Sequence, residues 1–175
     1  AAYKLLSRAL RQHPRSSEML TSRGNVSLEL GHAEAALQDY DKALSISANA
    51  STALLNRGSA LSKLRRPAEA LASYDRALVL MPTLAPAHYN RGNVLQQLHR
   101  FEEALQSYRE AIALKTDYAE VFNNMGECLG KLDRLQEALQ CEARNPQLEI
   151  RNKSKVTTQV HHFGRKKAQE TQTGA

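Results

Sequence analysis

The sequence is poor in the residues and motifs from which catalytic and metal sites are usually built. Its only two cysteines, Cys128 and Cys141, have a spacing typical of neither a metal site nor a disulfide framework. No G-x-S-x-G, phosphate-cradling glycine loop or H-E-x-x-H occurs. The sequence therefore predicts no catalytic residues, no metal and no cofactor. We interpret both thiols as small buried apolar groups that remain reduced.

Long apolar runs and secretory signals are also missing. No segment approaches the roughly 20 apolar residues that a membrane-spanning helix needs. The basic, amphipathic start of the chain lacks the apolar core of a signal peptide. We therefore expect no membrane partner and a cytoplasmic location, where free cysteines stay reduced.

What the sequence does contain is a pattern that recurs every 34 residues. The recurring positions are the glycines Gly24, Gly58, Gly92 and Gly126, the alanines Ala36, Ala70, Ala104 and Ala138, the tyrosines Tyr40, Tyr74 and Tyr108, and the alanines Ala43, Ala77 and Ala111. A fixed period of this length is typical of a helical solenoid. It favours an extended binding surface over a catalytic centre.

Residues 51–84 form the clearest copy of the pattern. Apolar residues at helical spacing predict one helix before Arg65 and a second that begins near Pro67 and ends before Pro82. Glycine costs about 1 kcal/mol relative to alanine in a helix, so its recurrence in all four copies indicates close packing there. We expect the two helices to approach most closely at Gly58, and Tyr74 to contact the next copy.

These residues resemble the tetratricopeptide repeat, a helix–turn–helix unit of the same period. The resemblance is carried by Asn56-Arg57-Gly58, Pro67, Ala70, Tyr74, Ala77 and Pro82, and again by Asn90-Arg91-Gly92, Phe101, Ala104, Tyr108 and Ala111. It implies an all-α fold, a right-handed superhelical solenoid of antiparallel helix pairs. It also implies that the first helix of each pair lines a concave face.

The period predicts the organisation of the chain. Residues 1–16 are the second helix of a truncated repeat, 17–50, 51–84 and 85–118 are full repeats, 119–146 is a partial repeat, and 147–175 is a basic polar tail, disordered or weakly capping. Because the chain starts in mid-repeat without methionine, we expect a fragment or a processed form. In the fourth copy Glu142 replaces the tyrosine and Asn145 an alanine, which predicts a short, weakly docked last helix.

Polar residues next to the glycines form the candidate peptide-binding set: Asn25, Asn56, Tyr89, Asn90, Asn93, Asn123 and Asn124. A side-chain amide both donates and accepts hydrogen bonds, so equally spaced asparagines can hold the backbone of an extended peptide. The row resembles the asparagine ladder of O-linked N-acetylglucosamine transferases. The alternative is that these amides brace neighbouring helices.

The predicted function is a non-catalytic interaction module that takes an extended peptide or a partner helix into its concave groove. The alternative is the substrate-recruiting arm of a larger enzyme, such as a glycosyltransferase. A carboxylate clamp is not expected, because the corresponding inward positions lack its lysines and arginine: Thr21, Asn25, Asn56, Pro86 and Asn90.

Three further features leave alternatives open. Arg23, Arg57 and Arg91 either attract carboxylates to a groove edge or brace acidic residues of a neighbouring copy. The tail motifs His161-His162 and Arg165-Lys166-Lys167 have no partner pattern for metal or nucleic acid, so no nucleic-acid partner is predicted. The truncated first copy predicts an apolar end that could self-associate, formed by Leu5, Leu6, Ala9 and Leu10.

Overall fold

The computed structural model describes residues 1–115 and 119–145, which contain nine α-helices and no strand. The helices are α1 (Ala2–Gln12), α2 (Ser17–Glu29), α3 (Ala33–Ile46), α4 (Ser51–Lys63), α5 (Pro67–Leu80), α6 (Ala85–Gln97), α7 (Phe101–Leu114), α8 (Ala119–Lys131) and α9 (Leu135–Arg144). None of these helices has the length and apolarity needed to cross a bilayer. The whole of the predicted tail, residues 147–175, with its His161-His162 and Arg165-Lys166-Lys167 motifs, lies outside the described residues.

The chain divides into two compact units, Ala1–Thr116 and Asp117–Ala175. In the first unit α2 packs on α3, α4 on α5 and α6 on α7, so each pair is an antiparallel hairpin. The second helix of one pair also packs on the first helix of the next, α3 on α4 and α5 on α6. This stacking of helix pairs confirms the predicted all-α solenoid.

The turns inside the pairs share one backbone feature at the same 34-residue interval. Each contains a residue with positive φ: Gly31 at 83°, Arg65 at 58°, His99 at 57° and Asp133 at 57°. L-residues disfavour this left-handed conformation because their Cβ approaches the following carbonyl oxygen. Only the first turn has the glycine that adopts it without this penalty, so the packing of the helix pairs imposes the conformation on the other three.

In the three helix pairs of the first unit, the tyrosine ring packs on the glycine of its own pair. A Cβ built on Gly58 would come within 2.5 Å of Cε1 of Tyr74, and one on Gly24 within 2.6 Å of Cε1 of Tyr40. Gly58 therefore makes room for an aromatic ring. The sequence predicts that it allows two helix backbones to approach each other, but the atoms nearest to its added Cβ belong to the side chain of Tyr74. Tyr74 also belongs to a buried cluster that includes Val94 of the next copy, so the two copies share one apolar core.

The fourth copy lacks this arrangement. A Cβ on Gly126 would meet no heavy atom of the described chain within 4 Å, because Glu142 stands in place of the tyrosine. The expectation that all four glycines are required by close packing is therefore wrong for this one. As predicted, the last helix is short, with 10 residues in α9 against 14 in α7.

The apolar end predicted at the start of the chain is only partly exposed. Leu10 is 7% exposed and packs in a cluster with Leu20, Ala43 and Ala53, whereas Leu5 is 67% exposed. The prediction that Leu10 lies open is wrong, because α1 docks on α2 and covers it. Self-association through this end stays a prediction that now depends on Leu5 and its neighbours.

Candidate functional site

Half-buried polar side chains line one face of α2, α4 and α6 in the first unit. We call this the amide face and define it by Asn25 on α2, Asn56 and Ser59 on α4, and Asn90 and Asn93 on α6. Within α4 and α6 the two residues are three apart, so their side chains lie on the same side of the helix. Each helix pair of the first unit thus contributes polar side chains to the amide face from its first helix.

The amide face is tied together by hydrogen bonds between successive pairs. Asn56 Nδ2 donates to Asn25 Oδ1 over 2.8 Å, and Asn90 Nδ2 lies 3.5 Å from Ser59 Oγ. Asn25 and Ser59 occupy the same register position, so the second contact repeats the first at a longer distance. Bracing is therefore part of the role of Asn56 and Asn90.

The buried tyrosines form hydrogen bonds to residues of the amide face. Their hydroxyl groups donate to the polar residue that follows each glycine: Tyr40 to Asn25 Oδ1 at 2.8 Å, Tyr74 to Ser59 Oγ at 3.3 Å and Tyr108 to Asn93 Oδ1 at 2.8 Å. Burial raises the pKa of Tyr74 to about 12. Burial, with Asp39 nearby, also raises the pKa of Tyr40. Both hydroxyls thus remain protonated donors at neutral pH.

Bracing leaves part of each ladder amide available to a ligand. A side-chain amide offers two N–H donors and a carbonyl acceptor. Within the described chain, the hydrogen bonds of Asn56 and Asn90 use only their Nδ2 atoms. Their Oδ1 atoms can therefore accept a backbone N–H from a peptide while the brace between copies stays formed.

Tyr89 is half-buried at the edge of the amide face. Its ring centroid lies 6.3 Å from that of Tyr108 in a tilted arrangement. This distance is within the range of favourable aromatic pairs. Tyr89 thus supports Tyr108 and keeps part of its ring accessible.

The remaining predicted site residues, Asn123 and Asn124, lie on α8 in the second unit. Asn123 is exposed, and its Oδ1 accepts a 2.6 Å hydrogen bond from Asn145 Nδ2. Asn145 is only 1% exposed and also lies 3.4 Å from the Ala119 carbonyl oxygen. Asn123 therefore anchors the end of α9, a role that the sequence did not indicate because Asn145 simply departs from the repeat.

The arginine row braces the helices. Arg57 Nε lies 2.6 Å from Asp41 of the preceding copy, and Arg91 Nε lies 2.6 Å from Asp75 of its preceding copy. Arg23 instead pairs through two nitrogens with Asp39 of its own copy, and Asp39 is 4% exposed. Bracing to a neighbouring copy is therefore confirmed for Arg57 and Arg91, whereas Arg23 braces the two helices of its own copy.

Each arginine also pairs with the position sixteen residues later. Arg57 Nη1 donates to Ser73 Oγ at 2.7 Å, and Arg91 Nη1 donates to Ser107 Oγ at 2.6 Å. Both serines are buried. In the fourth copy the same two positions hold Met125 and Cys141, which are also buried. The polar brace of the first unit is thus replaced by two sulfur-containing side chains.

Both cysteines lie inside the protein. Cys128 and Cys141 are both buried free thiols, which confirms the prediction that they are buried. Burial, and secondarily the charge of Glu127, raise the pKa of Cys128 to about 11, so the thiol is protonated at neutral pH. Among residues 1–115 and 119–145, no three His, Cys, Asp or Glu side chains lie together as a metal site would require.

Solved structures with the same fold include three tetratricopeptide repeat proteins. MamA from Desulfovibrio magneticus RS-1 is 21% identical, with 85% of this chain and 84% of that chain covered and a TM-score of 0.79. YrrB, described as a TPR protein with an unusual peptide-binding site, is 25% identical over 81% of this chain and 73% of its own, with a TM-score of 0.73. The first TPR of Spaghetti (RPAP3), bound to the HSP90 peptide SRMEEVD, is 24% identical over 67% and 93%, with a TM-score of 0.66.

Family models give the same result at the level of sequence. No curated protein sequence matches the chain significantly. Three models, all described as tetratricopeptide repeat, match residues 1–51, 51–84 and 85–118. Together with the stacked helix pairs and the glycine–tyrosine packing, these matches show that the chain belongs to the tetratricopeptide repeat family.

Proposed function

We propose that this chain is a non-catalytic interaction module that binds an extended peptide or a partner helix along its amide face. One observation carries the proposal. Asn56 and Asn90 occupy the same position in successive repeats, and their Nδ2 atoms brace the helices while their side-chain carbonyl oxygens remain able to accept a hydrogen bond. A face that is already braced loses little conformational entropy when a ligand binds. The peptide-binding site described for YrrB, the most similar in sequence of the three structures, supports the same class of partner.

The amide face favours recognition of the peptide backbone. Backbone N–H and C=O groups recur in every residue of a peptide, and a side-chain amide can pair with either. A peptide in extended conformation would thus meet one amide per helix pair, whatever its sequence. The RPAP3 structure is bound to the acidic peptide SRMEEVD, but this chain has Thr21, Pro86 and asparagines where a carboxylate clamp places its cations.

A binding measurement with a degenerate peptide library tests the proposal, because backbone recognition predicts binding without a fixed sequence. We expect Asn56→Ala combined with Asn90→Ala to weaken binding by about tenfold or more, the loss of two modest hydrogen bonds. Asn49→Ala is the matched control, since Asn49 is an exposed asparagine in the turn before α4. Fluorescence anisotropy gives the affinities, and circular dichroism verifies that the variants remain helical.

A second library with N-methylated backbones separates backbone recognition from side-chain recognition. Methylation removes the N–H donors but keeps every side chain, so we expect it to abolish binding. Equal binding of the two libraries, or equal effects of the amide-face and Asn49 variants, would contradict the proposal.

The second candidate function uses the same face, which would recruit protein substrates to a catalytic domain of a glycosyltransferase. The observation that favours it is the repeated asparagine, which resembles the ladder of the O-linked N-acetylglucosamine transferases. The reading frame of the source gene tests this candidate directly. A glycosyltransferase domain in the same frame would support it, and a frame without any catalytic domain would refute it.

A further inference from the structure

A polar cleft lies at the turn edge of the first unit, beside the amide face. Its volume is about 560 Å³, and it is lined by Ser62, Lys63, Arg65, Pro67 and Gln97. Two of the five lining residues are cations and none is acidic. The cleft therefore has a local charge of opposite sign to a phosphate or carboxylate group.

The two cations of the cleft are available to a ligand. Within the described chain, neither Lys63 nor Arg65 forms an ion pair, and both side chains are exposed. The neighbouring Arg66, by contrast, is held by Glu69 through two hydrogen bonds of 2.7 Å. Glu69, the acidic residue closest in sequence to Arg65, is thus already paired with Arg66.

The cleft offers three kinds of hydrogen-bond donor: its two cations, the Ser62 hydroxyl and the Gln97 amide. Helix α5 begins at Pro67, one of the lining residues, but proline has no N–H group and Glu69 lies in the first turn of α5, so this lining residue adds no backbone donor. A phosphate group, with three terminal oxygens and nearly two negative charges at neutral pH, fits this set better than a carboxylate.

The cleft continues the amide face along two of its three helices, α4 and α6. Ser62 follows Ser59 by three residues on α4, and Gln97 follows Asn93 by four residues on α6. Residues at these spacings lie on one side of a helix. A peptide on the amide face could therefore extend into the cleft without changing direction.

The other helix-pair junction of the first unit does not repeat this chemistry. One period earlier, the positions of Lys63 and Arg65 are occupied by Glu29 and Gly31. The cations thus form one localised site, and the surface around them carries paired charges such as Arg66–Glu69 and Arg100–Glu103. A single site of this size suits one phosphate group of a peptide, whereas binding to an anionic membrane requires a broad basic surface.

We infer that the cleft binds the phosphate group of a phosphorylated serine or threonine in a peptide that lies on the amide face. The inference rests on the proposed function for its peptide component. The phosphate component stands independently of it, since inorganic phosphate alone should occupy the cleft.

The first measurement titrates inorganic phosphate into the whole chain at constant ionic strength and follows the amide NMR signals. We expect saturable shifts at Ser62, Lys63 and Gln97. Lys63→Glu, which reproduces the residue of the preceding copy, should weaken phosphate binding by about tenfold, as expected for loss of a charge-assisted contact and gain of a like charge. Lys42→Glu makes the same charge change at an exposed site on α3 and should leave the affinity unchanged. Shifts that do not saturate, or equal effects of the two variants, would overturn the inference.

The second measurement compares two degenerate peptide libraries, one with a central phosphoserine and one with serine. The phosphorylated library should bind about tenfold more tightly. Lys63→Glu should remove that difference, while the double substitution at Asn56 and Asn90 should weaken both libraries equally. Equal binding of the two libraries would refute recognition of phosphopeptides. Saturable phosphate binding without binding of either library would instead contradict the proposed function and leave the anion site supported.

Arg65→Gly removes a cation of the cleft without an expected loss of stability. Arg65 has a φ of 58°, a conformation that glycine adopts more readily, and Gly31 fills the same place in the preceding copy. The substitution should therefore weaken phosphate binding while the chain stays at least as stable. A variant that binds phosphate like the wild type would show that Arg65 is not part of the site.

Discussion

Substitution of the repeat glycines by alanine should have opposite effects in different copies. In Gly58→Ala, the new Cβ would lie 2.5 Å from Cε1 and 2.8 Å from Cδ1 and Cζ of Tyr74. The ring cannot simply move aside, because Tyr74 is 1% exposed and its hydroxyl is bonded to Ser59. Gly126 sits at the same register position without any atom of the described chain within 4 Å of its added Cβ.

The magnitudes follow from two opposing terms. Alanine is favoured over glycine inside a helix by about 1 kcal/mol. Overpacking a filled core costs about 1–3 kcal/mol, which outweighs that gain at Gly58. We therefore expect Gly58→Ala to lower the free energy of unfolding by up to about 2 kcal/mol. Gly126→Ala should raise it by up to about 1 kcal/mol, because only the helix preference acts there.

Urea unfolding followed by far-UV circular dichroism measures the difference between the two variants. Tyr74→Leu provides the matched test, because loss of the ring should remove the penalty of Gly58→Ala and make the two substitutions non-additive. Equal stabilisation by Gly58→Ala and Gly126→Ala would refute the packing argument. So would additive effects of Gly58→Ala and Tyr74→Leu.

Three further predictions concern the turns, the last helix and a buried hydroxyl. Gly31→Ala should destabilise the chain by about 1–2 kcal/mol in the same urea assay, because Gly31 has a φ of 83° and only the backbone penalty applies; a neutral effect would contradict this. Asn145→Ala should lower stability by about 1–2 kcal/mol and increase amide exchange in α9, since it removes the donor to Asn123 and Ala119; unchanged exchange would contradict its anchoring role. In an absorbance titration Tyr74 should ionise near pH 12, against about 10 in the unfolded chain. Its contribution to stability is therefore complete below pH 10 and is lost as the pH rises through 12. Tyr74→Phe should remove the absorbance change near pH 12.

The sequence predicted the helices well because repetition supplies four observations of one pattern. The expected second helix of the clearest copy, from Pro67 to just before Pro82, corresponds to α5 at Pro67–Leu80. The partner of Gly58 could not be predicted in the same way. Spacing identifies the side of a helix on which a residue lies, but which atom fills the space opposite depends on the rotamer of Tyr74 and the angle between the two helices.

The register of the repeat predicts which residues share the amide face, but it predicts their contacts only partly. The register placed Asn25, Asn56 and Asn90 near one another, and the structure ties them into one face. Whether such an amide braces its neighbours or faces a ligand depends on differences of less than an ångström in the distances between atoms. A pattern of residue types does not determine such differences. Asn145 was missed as an anchor because it occurs once, and a single departure from a repeat carries no periodic signal.

The replacement of Arg91 and Ser107 by Met125 and Cys141 in the fourth copy has a consequence for how the two units respond to their surroundings. Added salt screens the partly exposed pairs Arg57–Asp41 and Arg91–Asp75. The equivalent positions in the second unit contain no charge to screen. Concentrated salt should therefore loosen these joints between helix pairs of the first unit without affecting the positions of Met125 and Cys141, whereas an oxidant that reaches the Met125 thioether would disturb the second unit.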